Sequence, residues 1–156
     1  MIQGALRSVP VSLTVQAAVY AAADVVGGKL TLTNAVRSRS FGIGGVIESV
    51  VLRDLAAQTG DYDLVIFNAD PSATTFTENG PIDVADADLG KVVGVVKLVA
   101  STHRTAFADS CVYSVGGLNL SLAGAGSNLY AVLVARGTPT FAATTDVSLE
   151  LFIRQD

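Results

Sequence analysis

His103 is the only histidine in the chain, so any Ser-His-Asp arrangement or imidazole-bound metal has to be built around it. Its neighbours are Ser101, Thr102, Arg104 and Thr105, a polar, loop-like run. No G-x-S-x-G turn, which would lift a serine nucleophile out of a strand, occurs in the sequence. His103 therefore reads as a surface residue. Cys111 is equally alone, which rules out an intrachain disulfide and the multi-cysteine metal patterns. Between Ser110 and Val112 it reads as a small core side chain, and its solitude fits assembly in a reducing cytoplasm.

The carboxylates are more numerous. Asp83, Asp86 and Asp88 are close enough in sequence to offer oxygen ligands to a hard cation, which takes six to eight of them. They lack the D-x-[DN]-x-[DN]-G order and the distal glutamate of a calcium loop. The expectation is that they cap a helical turn or loop by accepting backbone N–H bonds. A glycosidase needs two carboxylates facing each other across a cleft. The glutamates are Glu48, Glu78 and Glu150; two of them sit at outward positions of predicted strands and nothing in their spacing pairs them. Gly42, Gly44 and Gly45 lack the Lys-Ser/Thr ending and following helix of a phosphate-binding loop. No enzymatic activity, catalytic residue, metal or cofactor is expected.

Binding is a better use of these residues. Arg37 and Arg39 stand beside serines and run into Phe41, Gly42, Ile43, Gly44 and Gly45. One reading is a docking loop that orders against an acidic partner, with Arg37, Arg39, Phe41 and Ile43 as candidate contacts. The other is a solvated strand connection with one side chain tucked onto the core. A carbohydrate site on a sheet or loop is a further possibility, weakened by the absence of Trp and the presence of only four Tyr.

The elements that must position these residues are strands. Val9, Val11, Leu13 and Val15 alternate with polar neighbours, the period of two of a half-buried strand. Further strands are predicted over 29–33, 45–54, 63–67, 91–99, 110–115, 118–122, 128–136 and 146–154, separated by Gly, Asn, Asp and Pro clusters. Residues 92–96 and 130–135 are almost continuously apolar, the pattern of strands covered on both faces, central or at a subunit interface. One helical turn is predicted over 85–89. This pattern predicts an all-β fold, an antiparallel β-sandwich of jelly-roll or related Greek-key type. The 156 residues suit a single domain, with residues 1–20 forming an N-terminal arm or the first strand.

Composition narrows the partner. Charged residues are 15% of the chain, below the roughly 25% usual in globular proteins, while half the residues are hydrophobic. So neutral a surface implies coverage by copies of the chain or by a partner, or else a skin of small uncharged residues. The net charge of −4 argues against nucleic acid, which demands concentrated positive charge. No stretch reaches the roughly 18 apolar residues of a membrane span, and polar residues from Pro10 to Gln16 break what would otherwise resemble a secretory leader.

Between Tyr20 and Val96 the order of residues resembles a family of small head proteins of tailed bacteriophages. The matching stretches are Asp24-Val25-Val26-Gly27-Gly28 with Leu30, Leu32, Asn34 and Ala35, then 47–54 and Asp63-Leu64-Val65-Ile66-Phe67. The strongest block is Asp70-Pro71-Ser72-Ala73-Thr74-Thr75-Phe76-Thr77, Asn79, Asp83-Val84-Ala85-Asp86-Ala87-Asp88-Leu89, then Lys91 and Gly94-Val95-Val96. The resemblance implies a capsid cement or decoration protein that clamps the major capsid protein, often as a symmetric homo-oligomer, with a trimer favoured. It implies a place on the virion after synthesis in the host cytoplasm. The alternative is a receptor- or glycan-binding module of a phage fibre or spike.

Overall fold

The computed structural model describes residues 5–39 and 42–155. Along the chain they form β1 (Leu6–Ser12), β2 (Val25–Leu32), β3 (Ser38–Arg39), β4 (Gly42–Ile43), β5 (Gly45–Asp54), β6 (Tyr62–Phe67), α1 (Asp86–Leu89) and β7 (Val92–Leu98). Then come α2 (Ala100–His103), β8 (Arg104–Ala106), β9 (Cys111–Val115), β10 (Leu120–Ser121), β11 (Leu129–Ala135) and β12 (Val147–Gln155).

Two antiparallel sheets pack face to face, the sandwich that the alternating pattern predicts. The larger has the order β1-β12-β5-β9-β8, with β10 also on β5; the smaller has the order β2-β11-β6-β7. Alternate residues of each strand enter the space between them. Val9, Ile47, Val50, Leu52, Leu149, Leu151 and Ile153 from the larger sheet meet Leu30, Leu32, Leu64, Ile66 and Leu133 from the smaller. Removing each such side chain from water contributes about 1.5–3 kcal/mol.

The smaller sheet is apolar on its other face too. Val25, Val65, Phe67, Val132 and Val134 form a second cluster there, roofed by Phe76, Ile82 and Val84. The chain between β6 and β7 thus lies over this face as a cover. Thr74 pins it by accepting the Ala85 N–H (3.0 Å) and donating to the Asp88 carboxylate (2.7 Å). Tyr20, from the segment after β1, reaches the same cover through a hydrogen bond to Glu78.

Several expectations change in physical detail. The first strand is Leu6–Ser12, not 9–15: Ser12 faces Ser148, and β12 begins at Val147, so β1 runs out of partner. Leu13 and Val15 remain buried beyond its end. The strand predicted over 118–122 shrinks to Leu120–Ser121, because Gly117 (φ 65°) and Asn119 (φ 49°) take left-handed conformations that cannot continue a ladder. Residues 92–96 do not lie in a central strand; β7 is the edge of its sheet and Val95 is 44% exposed. The run 130–135 is central as expected, between β2 and β6.

His103 is not in a loop but ends the one-turn helix α2. Its Nδ1 accepts the Val99 N–H at 2.9 Å, which closes the turn on itself. The helical turn expected over 85–89 forms as α1, yet no aspartate side chain caps it. Asp88 turns inward instead.

The core assignment of β12 has a direct test. Leu151 is 1% exposed between the sheets. Leu151→Ala should lower the unfolding free energy by about 2–5 kcal/mol in urea titration. Arg53→Ala, at an exposed ion pair with Glu150, should change it by less than about 1 kcal/mol.

Candidate docking surface

The chemistry-bearing residues do not converge. Among the described residues no group of three or more His, Cys, Asp or Glu side chains gathers in a metal-holding arrangement. Asp83 and Asp86 are exposed, whereas Asp88 is buried between Thr74 and Lys91, whose Nζ lies 2.7 Å away. The Lys91 ammonium, aided by the Thr74 hydroxyl, holds the Asp88 carboxyl below its ordinary range, with burial opposing. Glu48 and Glu150 face outward as expected, but each has an arginine partner, Arg154 at 3.0 Å and Arg53 at 2.8 Å.

Cys111 is buried, as expected, and sits in a polar knot that sequence reasoning missed. The buried Asp54 carboxylate accepts the N–H groups of Ala56 (2.7 Å) and Gln58 (2.9 Å). The Gln58 carbonyl receives Arg104 Nε at 2.8 Å and the Tyr113 hydroxyl at 3.3 Å. Burial pushes the Cys111 thiol up, and the nearby Asp54 charge adds to this, so the thiol stays protonated and weakly nucleophilic near neutral pH. Burial likewise raises Asp54. This knot ties the 55–60 turn to the sheet; it is structural.

The accessible geometry lies at an open side of the sandwich. The edge of the larger sheet is β1 and the edge of the smaller is β2, and no ladder joins them. Between them runs a groove of about 390 Å³, lined on one side by residues 7–12 and on the other by Thr31, Leu32 and Thr33. Edge strands offer unpaired backbone N–H and C=O groups to any extended segment laid alongside. Pro10 removes one donor from β1, which edge strands tolerate.

At one end of the groove the chain turns into the β3–β4 hairpin, where Ser38 faces Ile43 and Arg39 faces Gly42. The described flanks of the arginine loop therefore pair as two short strands. Arg37 is exposed at its base. Phe41 lies outside the described residues, and Arg39 and Ile43 are placed by their backbones alone.

The ribbon is anchored by Gln155, a buried amide from the far end of the sequence. Its Oε1 accepts the Arg37 N–H at 2.7 Å and its Nε2 donates to the Ala35 carbonyl at 2.9 Å. Arg7, on the groove wall, donates to the Asn34 carbonyl. Nothing local in the sequence marks this clasp, because its partners are about 120 residues apart.

Charge divides along the same line. Residues 1–47 carry Arg7, Lys29, Arg37 and Arg39 against the one acid Asp24, a net of +3, while the remainder, with six cations and thirteen acids, is −7. Both groove walls and the ribbon come from the basic part. The outer face of the larger sheet is a second accessible region: Pro10, Val51 and Phe152 lie there among the paired charges of Glu150, Arg53 and Arg154.

Two outcomes check this geometry. Gln155→Ala leaves the Ala35 carbonyl and Arg37 N–H without partners, which should cost about 1–3 kcal/mol and speed hydrogen exchange at Arg37. For Asp88, a folded pKa below the unfolded value of about 3.9 means that its stabilisation is complete above that pH and is lost as pH falls through the folded value. Urea unfolding between pH 6 and pH 2 should therefore show a shallower acid decline for Asp88→Asn than for the unaltered chain. Asp54, raised by burial, acts in the opposite sense and loses stability as pH rises through its folded pKa.

No family model and no curated protein matches the chain.

Proposed function

We propose that this chain is a non-enzymatic binding module, a cement protein that seats the β1/β2 groove and the arginine ribbon on an acidic protein surface. The observation that carries the reading is the coincidence of three features at one side of the sandwich: the edge strand β1 beside the Thr31–Thr33 end of β2, a groove of about 390 Å³ between them, and a basic ribbon that follows in the chain. Edge strands give affinity through main-chain hydrogen bonds, and arginines give orientation and on-rate through complementary charge.

The partner we propose is the major capsid protein of a tailed bacteriophage, on the strength of the resemblance over Tyr20–Val96. The protein would be made in the host cytoplasm and act on the virion surface as a homo-oligomer, with a trimer favoured. A ligand that binds only the assembled shell shifts its disassembly equilibrium by mass action, and symmetry repeats each weak contact many times. The sparse charge of the chain suits a surface that works covered.

Co-sedimentation with phage heads tests the reading. Binding should weaken with rising salt, because exposed charges are screened. Arg39→Ala should weaken it roughly fivefold, the order expected of one rim charge, with the melting temperature unchanged. Phe41→Ala should do likewise as the apolar anchor. Heads that pellet without the protein, or arginine variants that bind as well as the unaltered chain, would contradict the proposal.

A further inference from the structure

A second depression, away from the groove, lies where the end of β6 meets the turn between β10 and β11. Its volume is about 310 Å³, and Asn68, Asp70, Ser127, Asn128, Tyr130 and the glycines 124 and 126 line it. Two amides, a hydroxyl, a carboxylate and a phenol ring meet in one open cleft, in a chain whose charged residues are only 15% of the total. Of these, Tyr130 also packs its ring against the outer apolar cluster of the smaller sheet.

We infer that this cleft is a binding site for a neutral saccharide. A pyranose presents hydroxyls that both donate and accept, together with a C–H face that covers an aromatic ring. Recognising it takes a carboxylate acceptor, amide donors and acceptors, and an aromatic surface, held at fixed spacing.

The fixing is visible. Lys29 Nζ stands 2.7 Å from Asp70 Oδ1 and 6.0 Å from the centroid of the Tyr130 ring, so one ammonium ties the carboxylate to the aromatic. Lys91 Nζ donates to the Asp70 carbonyl at 2.8 Å and holds the backbone beneath it. The Asn34 N–H donates to Asn128 Oδ1 at 2.9 Å, which fixes the amide orientation and leaves its NH₂ group as the end available to a ligand.

Gly124 takes φ +80° where the turn passes Asn68, and a side chain added at Gly126 would stand in open space. The turn wall is therefore low and its backbone accessible. The Asp70 side chain, 46% exposed, presents its carboxylate to the opening with its charge balanced by Lys29, and Lys91 is paired with Asp88. An anionic ligand would meet no unbalanced cation there, whereas an uncharged polyol needs only the hydrogen-bonding groups. The ring that recognises the C–H face is a tyrosine, so the lack of tryptophan does not argue against the site.

Saturation-transfer NMR of the full chain with the methyl glycosides of glucose, galactose, mannose and N-acetylglucosamine, each at tens of millimolar, tests the inference. An open cleft of this size should give a dissociation constant on the order of millimolar for its preferred sugar. Asp70→Ala and Asn68→Ala should each weaken that signal at least tenfold with the melting temperature preserved, and Tyr130→Leu should remove transfer to the ring C–H protons. Absence of transfer to all four glycosides would overturn the inference. So would transfer undiminished in Asp70→Ala and Asn68→Ala, or stronger binding of the anionic N-acetylneuraminic acid than of any neutral sugar.

Discussion

The smaller sheet is hydrophobic on both faces, and the rest of the structure follows from the need to cover both. Residues 62–67 and 131–135 are buried without a break. A single opposing sheet can shield one face only. The other is covered by the 69–91 segment, with Phe76, Ile82 and Val84 as its apolar contacts and the Thr74–Asp88–Lys91 set as its clip. A buried carboxylate is tolerated there because its charge is paired and hydrogen-bonded.

This constraint makes the molecule asymmetric. The smaller sheet gains its cover, whereas the larger turns Pro10, Val51, Phe152 and their flanking ion pairs toward solvent. The cover lies against the outer face and closes the start of β2, where Val25 exchanges backbone hydrogen bonds with Asn79 and Gly80, but it leaves the groove between β1 and Thr31–Thr33 uncovered. A sandwich whose edges stay open normally risks strand-to-strand aggregation. Here Pro10, which removes a backbone donor, and the positive charge of the N-terminal third moderate that risk.

Much of the fold is legible from alternation because one-faced strands declare themselves. The strand over 45–54 has the bounds expected, flanked by glycines before and turn residues after, and β12 is displaced by one residue from its expected start and end. What escapes is what depends on long-range order. The valines of β7 look central because they are apolar, but part of their burial comes from the cover and not from a further strand. The break after β9 is where the glycines 116 and 117 place it, but the shortening of the next strand to Leu120–Ser121 rests on a left-handed Asn119, a conformation that its residue type permits but does not require.

The candidate site was legible only as a composition. Arg37, Arg39, Phe41 and Ile43 stand out as a basic, glycine-rich run, but the groove beside them requires the sheet order, and the Gln155 clasp joins residues from opposite ends of the chain. The aspartates of 83–88 mislead in the opposite direction, since two point to solvent and one serves the cover.

The measurement that bears most directly on this account is electron cryomicroscopy of the purified protein mixed with expanded phage heads. The account predicts regular added density at symmetry axes or between capsomers, with the β1/β2 edge and the arginine ribbon against the shell. Bare heads with the protein free in solution, or added density that meets the shell through the covered face of the smaller sheet, would contradict it.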